Sequence, residues 1–120
     1  RFRLEAEPVA LEDCAKVLAA TRGRPFEALL DAERLGPTPL LRRLVKGDRF
    51  VPHGRGARGV VDVESWLMRH GIPRLARRAL LAVEGAHGLA WVVGMRIDAA
   101  HAVGPATGTA THLRVVPDRG

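Results

Sequence analysis

The sequence has one cysteine, Cys14, so no internal disulfide can form and nothing points to an oxidising compartment. It has no apolar run of membrane-spanning length. Its first residues, RFRLEAEPVA, alternate polar and apolar positions, unlike the continuous apolar core of a signal peptide. A cytoplasmic location is the expectation. Repeats, low-complexity segments and dividing linkers are absent, so 120 residues read as one domain around one core. The chain starts with Arg1, not Met, in the middle of a strand-like pattern, which suggests a piece of a longer protein. Lysine is scarce as well: only Lys16 and Lys46 occur, and Arg carries the rest of the positive charge, as a GC-rich coding bias would favour.

Catalytic groupings are also missing. The five histidines (His53, His70, His87, His101, His112) are dispersed, with no pair at a metal-ligand spacing and no cysteine nearby, so no metal site is expected. GRGARG, residues 54 to 59, lacks the Lys-Ser/Thr ending of a phosphate-cradling Walker loop. Asp48 follows Gly47 and reads as an Asx-type turn cap, not as an acid–base catalyst. Cys14 lies on the apolar side of a predicted helix and reads as a buried, inert thiol. The reading is of a chain with no catalytic, cofactor-binding or metal-binding residues of its own.

What the chain does have is unevenly placed positive charge. The formal net charge is +6. Ten cations lie between Arg42 and Arg78 (Arg42, Arg43, Lys46, Arg49, Arg55, Arg58, Arg69, Arg74, Arg77, Arg78), against Asp48, Asp62 and Glu64. That third of the chain carries an excess of seven, so the remainder nets about −1. Coding bias explains why the cations are Arg, but not why they cluster. Such concentration fits a surface for a polyanion, nucleic acid first among them.

Periodicity gives an α+β reading: a single compact domain of mixed or antiparallel strands with two to three helices. Phe2, Leu4 and Ala6 alternate on one face of a half-buried strand stopped by Pro8. Leu11, Cys14, Ala15 and Leu18 follow helical spacing, with Gly23 as the stop, so residues 11–24 form a helical excursion from a core over about 27–117. Strands are expected near 27–32 and in TPLLRRLV. VVDVESWLMRHG is a predicted helix with Asp62 as N-cap, Val63, Trp66, Leu67 and His70 on one face, and Gly71 and Pro73 ending it. RALLAV and LAWVVG flank EGAHG as a hairpin, and THLRVVP supplies a last strand.

LDAERL, PLLRRLVKGDRFVPHG, LMRHGIPRLARRALL, LAWVVGMRID and the THLRV tail follow one another in a distinctive order. That order and spacing, over about residues 30–116, resembles the C-terminal domain of tRNA(Ile)-lysidine synthetase. The resemblance implies a compact α/β module similar to one in the phenylalanyl-tRNA synthetase β subunit. It implies a bacterial parent enzyme, a ligase that uses ATP, with magnesium, to adenylate the wobble cytidine of a minor isoleucine tRNA and then attaches lysine. Catalysis in that family belongs to an N-terminal PP-loop domain with an SGGxDS motif, which this sequence does not contain. The C-terminal domain helps to grip and check the acceptor stem, so the implied partners are tRNA(Ile) and the PP-loop domain. This chain alone is then expected neither to hold ATP tightly nor to form lysidine.

The charge map and the resemblance meet at residues 40 to 59. RNA helices are held through phosphates and 2′-hydroxyls, and the planar Arg fork suits phosphate oxygens. The candidate RNA-binding residues are Arg42, Arg43, Lys46, Arg49, Arg55, Arg58, Arg74, Arg77 and Arg78. Gly54, Gly56 and Gly59 would let the backbone approach a nucleic-acid strand. Phe50 and Pro52 read as packing residues and Gly47–Asp48 as a turn, while Arg96 and Asp98 fit an internal ion pair as well as an RNA contact and stay outside the set. The resemblance departs at one point. Relatives carry a basic pair just before the helix that ends at GIP, where this chain has Val61 and Asp62 after a longer loop; Arg55 and Arg58 are the substitutes at hand. The competing function is a structural module that packs on its parent enzyme, and convergence of the cations on one face separates the two.

Overall fold

The computed structural model describes residues 1–54 and 59–118. Among them the elements run β1 (Phe2–Val9), α1 (Cys14–Thr21), β2 (Glu27–Asp31), α2 (Ala32–Leu35), β3 (Leu40–Arg43), β4 (Arg49–Phe50), β5 (Val61–Asp62), α3 (Val63–Arg69), α4 (Arg74–Ala79), β6 (Leu81–Gly85), β7 (Gly88–Val92), β8 (Arg96–Ile97) and β9 (Ala110–Pro117). Short 3-10 turns occupy Leu11–Asp13 and Ala99–His101. The α+β class read from periodicity holds, with four α-helices and antiparallel pairing throughout the named strands. No helix among the described residues is long and apolar enough to cross a membrane.

The two ends of the chain and β2 form a three-stranded sheet in the order β1-β9-β2. β1 does not stop at Pro8, as expected; Pro8 pairs with Thr111 and the strand continues to Val9 opposite Ala110. The physical reason is position: β1 is an edge strand, where a residue with no N–H costs the ladder nothing on the open side. Of the predicted face, Leu4 packs against the core of Ala28, Leu30, Leu113 and Val115, whereas Phe2 and Ala6 remain exposed. The opposite face of this sheet is covered by α1. There the predicted stripe is rotated: Cys14 and Val17 pack on Leu29 and Ala110, while Leu11 and Leu18 face solvent. A short helix with apolar residues on two sides offers two stripes, and only docking decides between them.

A second sheet, β3-β6-β7-β8, lies between two cores. Successive side chains of a strand point to opposite faces. Val83 and Trp91 therefore join the core shared with the first sheet, and their neighbours Ala82 and Val92 join a second core with Phe50, Val63, Trp66 and Leu67. Burial on both faces explains why LAWVV is almost continuously apolar. Asp62 caps α3, its Oδ2 accepting from the Ser65 N–H at 2.9 Å. Gly71, at φ 78°, turns the chain out of α3 as the sequence implied. Residues 74 to 79, however, form α4, so the hairpin strand begins at Leu81 and not within the Arg-rich segment. Pro73 at the N-cap presets the entry to this helix, and Leu80 returns to extended backbone.

Candidate nucleic-acid interface

The β3–β4 connection is held by an internal charge network. Arg42 donates from Nη1 and Nη2 to the two carboxylate oxygens of Asp48, each at 2.9 Å, and from Nε to Glu84 at 2.8 Å. Asp48 also accepts from the Val45 N–H at 2.9 Å, closing the turn through Lys46 and Gly47. Its turn-capping role is the one its sequence context suggested. Burial pushes the Asp48 carboxyl upward, but the hydrogen bonds from Arg42 and Val45 outweigh it, and the group lies below the usual carboxylate range. The Asp48 hydrogen bond raises the Arg42 pKa in turn, against the opposing effect of burial. With a further bond from Nη1 to the Arg43 carbonyl at 3.0 Å, four of the five guanidinium N–H donors of Arg42 are taken by protein partners.

Beside this turn the α3–α4 corner builds a groove. Gly71 and Pro73 fold α4 back across the end of α3, and Arg77 Nη1 donates to the Ile72 carbonyl at 2.7 Å. The groove encloses about 260 Å³ between Leu44, Val45 and Lys46 on one side, Val63, Glu64 and Leu67 of α3, and Arg74, Arg77 and Arg78 of α4. Four of the nine candidate cations meet here. Lys46, Arg74 and Arg78 are exposed and have no ion pair or side-chain hydrogen bond among the described residues. Arg77 is anchored through Ile72, and its buried Nε has no hydrogen-bond partner among the described residues. Such a site presents several cations to an anion that crosses them.

The remaining candidates lie elsewhere. Arg43 on β3 and Arg49 on β4 are exposed and do not line the groove. Arg49 sits opposite Asp62. The Asp62 carboxyl is held below its ordinary value, first by the Ser65 N–H and only in small part by Arg49. Arg55 and Arg58 lie outside the described residues, as does Gly56; Gly54 and Gly59 on either side have φ of 122° and 76°, values that suit glycine. Phe50 and Pro52 are buried as expected, Phe50 edge-on to Trp66 at 5.3 Å between ring centroids. Arg96 and Asp98 do not form an ion pair. Arg96 donates to the His53 carbonyl and lies 5.9 Å from the centre of the Trp66 ring. Asp98 instead accepts from Val51 N–H, Ala100 N–H and Nδ1 of His101, which makes it a capping residue.

Two features escaped the sequence reading. Glu64 enters the cationic groove as the one carboxylate among its described lining residues. A second, wider groove of about 490 Å³ has an apolar lining that includes Leu18, Ala28, Met95 and Ile97, with Arg22, Arg24 and Arg96 at its edge. Its cations come from separate parts of the sequence, and one of them, Arg24, lies 3.5 Å from Glu27, which also lines the groove. No charge run signals it. Among the described residues no three His, Cys, Asp or Glu side chains are gathered as metal ligands would be.

No protein-family model matches the sequence, and no curated protein matches it. Among solved structures the chain is similar to the crystal structure of the TILS C-terminal domain. The identity is 20%, the TM-score is 0.67, and the alignment covers 99% of this chain and 86% of that one. At that identity the likeness shows the fold, and it is the fold to which the sequence motifs pointed.

Proposed function

We propose that this domain binds tRNA through the groove between the β3–β4 turn and α4, as the C-terminal domain of a tRNA(Ile)-lysidine synthetase that grips the acceptor stem. One observation carries the reading: Lys46, Arg74, Arg77 and Arg78, spread along the sequence, converge on a single groove. Three have no side-chain partner among the described residues, and unpaired cations on one face are what a phosphate backbone needs. The fold is independent support, because it is that of a TILS domain. In this reading the lysine-transfer chemistry, with its ATP and magnesium, belongs to a separate PP-loop domain, and this chain supplies grip.

The test is binding of the chain to tRNA(Ile) and to a non-cognate tRNA over a salt series. Three to four neutralised phosphates give a log–log slope of roughly −3. Replacing Lys46, Arg74 and Arg78 together with Ala should flatten the slope by about two to three units. Stability should change little, since exposed cations contribute at most about 1 kcal/mol each. An unchanged slope in the triple variant refutes the placement. Replacing Arg55 and Arg58 tests separately whether they stand in for the basic pair that relatives carry.

A second reading, a module that docks on its parent enzyme, is favoured by one feature, the wide groove with apolar lining and Arg22, Arg24 and Arg96 at its edge. Among its described lining residues Trp91 is buried and His53 is the one exposed ring, so the lining is mostly aliphatic and suits aliphatic side chains better than a run of stacked bases. Charge reversal at Arg22 and Arg24 should leave the RNA salt slope untouched while weakening any docking at this face.

A further inference from the structure

The cationic groove contains a carboxylate that a pure phosphate grip would exclude. Asp48 and Asp62, the other acids of the basic segment, are both committed, Asp48 to Arg42 and the Val45 N–H, Asp62 to the Ser65 N–H. Glu64 is exposed at the start of α3, lines the groove with Lys46, Arg74, Arg77 and Arg78, and has no hydrogen bond or ion pair among the described residues. Against bare phosphates its charge would only repel.

We propose that Glu64 makes the groove selective for RNA over DNA by accepting a hydrogen bond from a ribose 2′-hydroxyl. This rests on the reading of the groove as an RNA site. The chemistry follows from the donor and acceptor inventory. Arg and Lys side chains have donors and no acceptor, so they hold phosphates and cannot receive a proton from a hydroxyl. A 2′-hydroxyl is both donor and acceptor, and it is the group that distinguishes the two nucleic acids at a given site. Along an RNA strand the hydroxyls lie between successive phosphates, so a groove that spaces cations for phosphates also brings a hydroxyl within reach of its walls. A carboxylate is an acceptor-only group when ionised and forms the stronger, charge-assisted class of hydrogen bond. Beside a ribose Glu64 gains a donor, whereas beside a deoxyribose it meets only like charge. The plain structural role of an acid in the first turn of a helix, interaction with the helix dipole, would affect stability and not ligand choice.

The experiment compares wild type, Glu64→Ala and Glu64→Gln on three hairpin stems of one sequence: RNA, 2′-fluoro RNA and DNA. The 2′-fluoro stem keeps A-form geometry without the hydroxyl donor, so shape is held constant. Wild type should prefer RNA over the 2′-fluoro stem about tenfold, the lower end for a hydrogen bond to a charged group. In Glu64→Ala that preference should fall to near one, while binding of the 2′-fluoro and DNA stems tightens; Glu64→Gln, which keeps a neutral acceptor, should fall between. If Glu64→Ala tightens all three stems by one common factor, or changes only the melting temperature, the carboxylate is no selector and the inference fails. If wild type binds none of the stems, the RNA reading of the groove fails, and the inference with it.

Discussion

Replacing Arg42 with Met separates a structural cation from a ligand-facing one. Met keeps an unbranched apolar stem and removes the fork that bridges Asp48 and Glu84. The side chains of Arg42 and Asp48 are 23% and 10% exposed, so the pair lies between a surface bridge, worth at most about 1 kcal/mol, and a buried one, whose breaking costs about 3–5 kcal/mol. Glu84 is 45% exposed and adds little. A loss of about 2 kcal/mol at neutral pH is the expectation, since Asp48 keeps only its bond from Val45 N–H. The pH dependence has a definite sign. Asp48 has a folded-state pKa below its unfolded value, so the stability it contributes is present above the unfolded pKa and is lost as pH falls through the folded one. The gap between wild type and variant should therefore close below about pH 4, near the ordinary Asp value. Urea unfolding followed by the fluorescence of the buried Trp66 and Trp91, repeated from neutral to acid pH, reads the effect. A loss under about 0.5 kcal/mol, together with a salt slope for RNA flatter by about one unit, would refute the reasoning and return Arg42 to the binding surface.

Trp66→Ala should destabilise by roughly 3–5 kcal/mol in the same assay, with Trp91 as reporter, because Trp66 is buried between Phe50 and His70; a loss under about 1 kcal/mol would contradict that packing. Gly85→Ala should cost roughly 1–3 kcal/mol despite the small change, since a Cβ there would lie 2.5 Å from the Leu35 carbonyl oxygen, backbone that cannot swing aside while it accepts from the Ala86 N–H. A variant with unchanged melting would show that the α2–β6 junction has slack.

How much of this was legible in the sequence depends on the range of the forces involved. The β6–β7 hairpin and α3 were readable because their signals are local: a glycine-bearing turn between apolar runs, and an Asp cap with a Gly-Pro exit. The rotation of α1, the passage of β1 through Pro8 and the existence of α4 were not, because each was decided by a neighbour. Docking chose the Cys14–Val17 stripe over Leu11 and Leu18. An open sheet edge tolerated Pro8. For the proposed site, the charge excess between Arg42 and Arg78 gives a segment and nine candidates, of which the fold gathers Lys46, Arg74, Arg77 and Arg78 in one groove. Net charge subtracts an acid from the sum wherever it lies, whereas in the fold an acid removes one particular cation. Asp48 withdraws Arg42 with the help of Glu84, which is 42 positions away in sequence. The Ile72 carbonyl, which carries no formal charge, occupies one arm of Arg77. Of the cations that line the groove, Lys46, Arg74 and Arg78 have no ion pair or side-chain hydrogen bond among the described residues, and one turn and one six-residue helix bring them together. Those free cations, and not the ten that the sequence counts, should set the salt dependence that this groove contributes to RNA binding.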